Sequence, residues 1–154
     1  MSLLKVIDKK KTKSVRKLQA QKISWEFHKF FRLYMHAIKR KELFFICTFL
    51  TPNIFDLVKC LERHSRIAGY FVFEDQSQIK VFLNYDLTKN EPLVQKIVLF
   101  SSRGRKRIAT QPMLKLFHYH YPNSLGIIGT RSGIMSSKEC EAKNQGGVFI
   151  VSIT

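Results

Sequence analysis

Residues 125–154 read LGIIGTRSGIMSSKECEAKNQGGVFIVSIT, and the pattern of this stretch decides the fold class. Three short apolar segments predict strands, because each has the length of a strand and is bounded by glycine or polar turn residues. These segments are Leu125 to Gly129, Gly133 to Met135 and Val148 to Thr154. Ser136 with Glu139 three residues later forms a capping box, which predicts a short helix to about Asn144 that ends at Gly146-Gly147. Strands around a short helix are typical of an α+β protein.

The first half of the chain predicts a small mixed module with the order α-β-α-β-β. Its first helix is indicated by Phe27, Phe30, Phe31 and Tyr34, whose helical spacing places them on one face and in the core. Thr51-Pro52 is a helix-start signal, with the threonine as the cap and the proline at the first helical position. The predicted elements are a helix from Ile23 to Arg40 capped by Ser24, a buried strand from Leu43 to Leu50, a helix from Pro52 ending before Gly69, and strands from Tyr70 to Glu74 and from Ile79 to Asp86.

A polar segment closed by a proline, Thr88 to Pro92, is the best candidate for a linker between the two halves. After it we predict a strand over Val94 to Ser101, a basic turn, another short strand, and a short helix over Pro112 to His118. The chain is therefore predicted to be an α+β protein with a basic extension and two modules that pack together. The basic N-terminal extension comprises residues 1–22 and the N-terminal α/β module residues 23–88. The β-rich C-terminal module with its short helix comprises residues 89–154.

Charge is the strongest functional signal in the composition. Lys and Arg number 27 against 11 Asp and Glu, which gives a formal charge of +16. Such an excess repels itself in the compact state unless a polyanion neutralises it, and nucleic acid is the usual polyanion. An acidic membrane or protein surface is the alternative. Three widely spaced cysteines, an odd number, argue against a disulfide framework and favour a reducing compartment.

The first 22 residues are basic and poor in acids, as transit peptides are. We expect a retained arm that orders against phosphate instead, with synthesis in the compartment where the protein works. Its cations are Lys9, Lys10, Lys11, Lys13, Arg16 and Lys17.

Two turns and one helix are candidates for contact with nucleic acid. Guanidinium groups of the basic turn would take phosphate oxygens in pairs, and the hydroxyls of the Thr130 turn would reach base edges or 2′-hydroxyls. A helix start offers unpaired amides to an anion. The less specific interpretations are a solvated turn, an ordinary hairpin turn and a plain capped surface helix. The candidate residues are Arg103, Arg105, Lys106 and Arg107 in the basic turn, Thr130, Arg131, Ser132 and Gly133 in the second turn, and Ser136, Lys138 and Lys143 at the helix.

No motif for catalysis or metal binding is present in the sequence. The glycines near Thr130 lack the lysine that a phosphate-binding loop requires, and no paired-cysteine zinc pattern occurs. His118-Tyr119-His120 is weak evidence for zinc, because no cysteine stands at ligand spacing, and we expect a polar loop there. Base stacking by Tyr119 or Tyr121 is the alternative. We expect no enzyme activity, no cofactor and no metal.

The last fifty residues resemble the small-subunit ribosomal protein S-eight family in its bacterial and organellar form. The resemblance rests on SSRGRKRI, followed by LGIIGTRSGIMSSKECEAKNQGGVFIVSIT at the carboxyl terminus. It implies a two-part α+β protein whose C-terminal half clamps a central-domain helix of the small-subunit RNA. Thr130, Arg131 and Ser132 would occupy the family's RNA-reading turn, with Gly146 and Gly147 beside it. Asn144 is a further candidate for contact with the RNA.

The chain departs from the family pattern inside that turn. The usual Ser-Thr-Ser-Lys-Gly is Gly129-Thr130-Arg131-Ser132-Gly133 here, so that only the threonine and the last glycine remain. The acid that commonly follows Gly-Gly is Val148, and the usual Pro-Gly of the basic turn is Arg103-Gly104. We expect binding to depend more on charge and less on base reading than in the bacterial protein.

The leading hypothesis is a mitochondrial small-subunit ribosomal protein that binds and stabilises ribosomal RNA beside neighbouring ribosomal proteins, without a membrane and not as a homo-oligomer. The mitochondrial part rests on a composition rich in Phe, Ile and Lys; a plastid ribosome or bacterial cytoplasm is the alternative. A free nucleic-acid regulator or RNA-modifying enzyme would need a cofactor pocket or a perturbed acid–base pair. A membrane-surface protein would need a basic amphipathic helix face.

Overall fold

The computed structural model describes residues 12–102 and 104–154, with side chains described from residue 25 onward. The chain forms an α+β fold, as predicted, with helices on both faces of the larger of its sheets. The helices are α1 (Thr12–Arg40), α2 (Pro52–Arg63), α3 (Gln111–His120) and α4 (Ser137–Ala142). The strands are β1 (Phe44–Cys47), β2 (Ile67–Phe73), β3 (Gln78–Leu83), β4 (Tyr85–Asp86), β5 (Glu91–Pro92), β6 (Ile97–Leu99), β7 (Ile108–Ala109), β8 (Leu125–Thr130), β9 (Gly133–Ser136) and β10 (Gly147–Ile153).

The N-terminal half builds an antiparallel sheet in the order β1-β3-β2, with α1 and α2 beside it. Thr51 caps α2 as predicted, since its hydroxyl accepts a hydrogen bond from the Ile54 amide at 3.3 Å. The same hydroxyl donates to the Glu26 carboxylate at 3.0 Å, which ties the start of α2 to α1. The aromatic stripe of α1 is buried as predicted, and the Tyr34 hydroxyl donates to the Arg66 carbonyl.

The C-terminal half builds a five-stranded antiparallel sheet in the order β6-β10-β8-β9, with β7 also paired to β10. One face of this sheet contributes Leu125, Ile127 and Ile153 to the same hydrophobic core as α1 and α2. The other face packs with α3 and α4 around Ile128 and Phe149. Because one core joins both halves, they form a single packed unit, and the boundary near residue 88 stays a prediction.

Several predicted boundaries are wrong for physical reasons. Ser24 does not cap the first helix, which already begins at Thr12. The predicted strand Leu43 to Leu50 is only Phe44–Cys47, and it alternates between exposed and buried residues, because only one face of its sheet is covered. The predicted linker Thr88 to Pro92 supplies the turn and second strand of the β4–β5 hairpin, with Pro92 buried. The predicted polar loop at His118 to His120 is the last turn of α3.

Candidate nucleic-acid interface

A small pocket of about 170 Å³ lies where α1, α2 and the C-terminal sheet meet. Its wall is largely apolar, and polar groups from four different segments stand among the apolar ones. The lining residues are Phe27, His28, Asn53, Ser101, Lys106, Gly129, Thr130, Gly133, Ile134, Val148 and Ile150. The structure thus brings the basic turn and the Thr130 turn, which are more than twenty residues apart in sequence, to one concave surface.

The described residues of the basic turn are hydrogen-bonded to one another and to β10, although their cations are exposed. Ser102 and Arg105 exchange two backbone hydrogen bonds of 3.0 Å, and Gly104 between them has a φ of +81° that favours glycine. The Ser101 hydroxyl donates to the Phe149 carbonyl at 2.6 Å and accepts from the Arg107 amide at 3.1 Å. Ser101 therefore anchors the turn to β10. Arg105, Lys106 and Arg107 are all exposed, whereas Arg103 lies outside the described residues.

The second turn, between β8 and β9, uses the Thr130 hydroxyl internally. This hydroxyl donates to the Gly133 carbonyl at 2.8 Å and accepts from the Ser132 amide at 3.2 Å. Gly133 has a φ of +112°, which a side chain would strain. Thr130 therefore shapes the turn, and the groups presented outward are the exposed side chains of Arg131 and Ser132.

The capping box at the start of α4 bonds two of the backbone amides that could face an anion. Ser136 is fully buried, and its hydroxyl accepts from the Glu139 amide while the Glu139 carboxylate accepts from the Ser136 amide. The capping box is confirmed, and anion binding at this helix start stays a prediction. Lys138, Lys143 and Asn144 are exposed, but they do not line the pocket.

The Gly146-Gly147 pair permits close backbone packing. A Cβ on Gly146 would lie 2.7 Å from the Ala109 carbonyl oxygen, and one on Gly147 only 2.3 Å from the Gly129 carbonyl oxygen. These glycines let β10 pass between β7 and β8, which places Val148 in the pocket wall.

Two residues of the first half, His28 and Asn53, line the pocket and were missed by sequence reasoning. The His28 Nε2 lies 2.7 Å from the Ser101 carbonyl oxygen, across 73 positions of sequence. A lone histidine beside the aromatic stripe of α1 carries no signal for such a contact. Only the packing of α1 against the basic turn reveals it.

A Ser–His–Glu chain also went unpredicted. His118 contacts the Glu141 carboxylate through Nδ1 at 2.5 Å and the Ser137 hydroxyl through Nε2 at 2.9 Å. The geometry resembles a nucleophile, base and orienting acid. However, Ser137 is 1% exposed and does not line the pocket. A nucleophile that no substrate reaches cannot act, so this chain joins α3 to α4.

The part of the chain that the structure describes also bears on metal binding, membrane crossing and thiol chemistry. No group of three or more His, Cys, Asp or Glu residues there is placed to hold a metal ion. None of the described helices combines the length and the apolar character that crossing a membrane requires. Cys47, Cys60 and Cys140 are all buried as free thiols, and burial raises the pKa of each.

The fold and site together define a strongly basic α+β protein in which two turns with exposed cations meet at a small pocket. The family model for Ribosomal protein S8 matches residues 39–154. The "Small ribosomal subunit protein uS8" of Lacticaseibacillus casei is 33% identical over 103 residues, covering 64% of this chain and 74% of that protein. The protein of that name from Christiangramia forsetii is 32% identical over 97 residues, or 60% and 70% of the two chains.

The chain belongs to the Ribosomal protein S8 family of small-subunit ribosomal proteins. Proteins of this family are structural and not enzymes, in agreement with the prediction of no enzyme activity. The family match begins at Lys39, inside α1, and includes the basic turn, the Thr130 turn and α4.

Proposed function

We propose that this protein is a structural constituent of the small ribosomal subunit that binds and stabilises a central-domain helix of the small-subunit RNA. The observation that carries the proposal is the convergence of Lys106 and Thr130 on one pocket, with Arg105, Arg107 and Arg131 exposed on the same two turns. Cations on hydrogen-bonded turns suit a phosphate backbone, because the backbone that carries them is already ordered before binding and loses little freedom on contact.

The individual roles follow from which groups are free. Arg105, Lys106, Arg107 and Arg131 would contact phosphates, and Ser132 would offer a hydroxyl to a sugar or a base edge. Thr130, Gly133, Ser136, Gly146 and Gly147 would act by shaping the surface, since their side chains are consumed in turns and packing or are absent. Lys138, Lys143 and Asn144 would form an outer part of the footprint.

A mitochondrial ribosome is proposed on composition alone, with a plastid or bacterial ribosome as the alternatives. A monomer with neighbouring ribosomal proteins as partners is proposed in place of a homo-oligomer, since two copies of a chain with a formal charge of +16 repel each other. Co-sedimentation with small-subunit particles at low salt would support a place in the small ribosomal subunit. A chain found only as a free protein would contradict it.

The decisive experiment measures RNA affinity of the double variant Lys106→Ala/Arg131→Ala by filter binding to a short central-domain helix. Each phosphate contact that is lost means that fewer counterions are released on binding. We therefore expect the affinity to fall about tenfold or more, and the slope of log affinity against log salt concentration to become shallower by about 2. The matched control is Arg40→Ala/Lys89→Ala, which also removes one Arg and one Lys from exposed positions that do not line the pocket.

We expect the control variant to lose much less affinity than the test variant. Equal losses in the two variants would mean that net charge alone drives binding and would overturn the proposed surface. A test variant with the wild-type affinity and salt slope would overturn it too.

A further inference from the structure

The open face of the N-terminal sheet is apolar, although the chain as a whole is highly charged. Phe44, Ile46, Phe71 and Phe82 are between 36% and 57% exposed on this face. The opposite face of the same three strands is buried against α1 and α2, as the alternating burial of β1 and β3 shows. Clustered exposed apolar residues of this kind mark interaction surfaces.

The strand register makes these residues one continuous patch. Phe44 pairs with Phe82 across β1 and β3, and Lys80 pairs with Ile46 on one side and Phe71 on the other. Directly opposed residues on one face have their Cβ atoms roughly 5 Å apart, so that their side chains touch. Phe73 extends the patch, because its ring centroid lies 5.0 Å from that of Phe71. We call this set of six residues the aromatic face: Lys80 at the centre, with Phe44, Ile46, Phe71, Phe73 and Phe82 around it.

Lys80 is the one charged residue in β1, β2 and β3. Its ammonium lies 3.8 Å from the centroid of the Phe44 ring and 5.2 Å from that of Phe82. Among the ion pairs between residues that the structure describes, none includes Lys80. The aromatic face thus presents one ammonium group, which lies over aromatic rings and can pair with one anion. The residues around this group are apolar.

This chemistry discriminates among possible occupants. If RNA bound here, its phosphates would lie against five apolar side chains, and only one cation would be present to neutralise them. The turns beside the pocket carry several cations and suit RNA better. A second copy would place Lys80 against Lys80 between two chains of formal charge +16. Residues 1–11 carry four lysines and one aspartate, so their charge also opposes Lys80. A protein surface with apolar side chains around a carboxylate satisfies both features of the face.

We propose that the aromatic face docks a neighbouring protein of the small subunit, through an apolar surface with an Asp or Glu paired to Lys80. The inference deepens the proposed function and rests on it, since it takes the partner to be a ribosomal one. The RNA surface and the aromatic face lie on different sheets, so that one contact leaves the other accessible.

The test uses the full chain with the photo-cross-linking residue p-benzoylphenylalanine in place of Phe71, mixed with RNA-free total protein from small subunits. We expect ultraviolet light to join it to one subunit protein, and the sequenced cross-linked peptide to contain apolar residues and a carboxylate. The matched control carries the same residue at Tyr119, which is 82% exposed on α3, and should give no such product.

Charge variants then test the ion pair. Lys80→Glu should lower the cross-link yield about tenfold or more, because it sets two carboxylates against each other, while Lys80→Arg keeps it. Reversing the identified carboxylate of the partner to Lys should restore the yield with Lys80→Glu. Circular dichroism of each variant confirms that it is folded.

The same labelled chain is also irradiated in separate mixtures: alone, with the RNA helix, and with anionic phosphatidylserine vesicles. A product in any of these mixtures and none with a subunit protein would overturn the proposal. So would a yield that Lys80→Glu leaves unchanged. Binding of the same variants to the naked RNA helix is measured separately and should be unaffected. Loss of wild-type RNA binding would count against the proposed function alone, since the mixture with subunit proteins contains no RNA.

Discussion

Gly147 lies where β10 passes closest to β8, within reach of the Gly129 carbonyl oxygen. A methyl group there would come 2.3 Å from that oxygen, and backbone cannot yield as a flexible side chain would. We therefore expect Gly147→Ala to lower the free energy of unfolding by about 1–3 kcal/mol, the range of an overpacked site. Urea denaturation followed by circular dichroism measures the change.

Gly69→Ala is the matched control for that substitution. A Cβ on Gly69 would meet nothing within 4 Å, and its φ lies outside the left-handed region. The stability should therefore change by less than about 1 kcal/mol. Similar losses at both glycines would contradict the steric explanation.

The three thiols make a second prediction at the scale of single residues. Burial raises the pKa of Cys47 and of Cys140 to about 11, and it also raises that of Cys60. The native protein should therefore react very slowly with a thiol reagent at pH 8, while the denatured chain should release three equivalents. One rapid equivalent from the native protein would mean that a cysteine is accessible.

The same shifts predict a dependence of stability on pH. Folding favours the neutral thiols, so their contribution is complete below the unfolded pKa of about 9 and is lost as the pH rises through about 11. Denaturation curves between these values should show stability falling with pH. A stability that rises over this window would contradict the expected sign.

Among the elements, α4 depends most on its cap, because it has only six residues. Its capping box satisfies two amides reciprocally, and the Ser136 hydroxyl is buried. We expect Ser136→Ala to lower the free energy of unfolding by about 1–2 kcal/mol, since the loss leaves a buried amide without its acceptor. The measurement is again urea denaturation.

Ser132→Ala serves as its control, because that side chain is exposed in the turn between β8 and β9. It should change the stability by less than about 0.5 kcal/mol. A loss at Ser132 as large as that at Ser136 would show that the cap is not the source of the effect.

The whole molecule carries a formal charge of +16, and this makes salt act in opposite directions on stability and on RNA binding. Screening reduces repulsion among the cations, so the free protein should become more stable as salt rises from about 0.05 M to about 0.2 M. RNA affinity should fall steeply over the same range, because counterion release weakens. Denaturation and filter binding in matched buffers measure the two trends. RNA affinity that does not depend on salt would contradict phosphate recognition.

Local patterns in the sequence were enough to predict the caps at Thr51 and Ser136, the aromatic stripe of α1, and the order of most elements. These features depend on hydrogen bonds and spacings within a few residues, so they are visible in one dimension. The boundaries of β1 and the hairpin at residues 85–92 depend on which faces are covered, and they were predicted wrongly.

The sequence by itself determined the family and the cationic character of the protein, because composition and local motifs do not change on folding. Only the tertiary structure decided which candidates are available: the Thr130 and Ser136 hydroxyls are consumed in local hydrogen bonds. It also brought His28 and Asn53 beside the C-terminal turns and left the aromatic face open. The physical reason is that burial and contact join residues far apart in sequence, and no spacing along the chain encodes them. The carboxyl-terminal stretch thus identifies the family, while packing determines which of its groups can meet RNA.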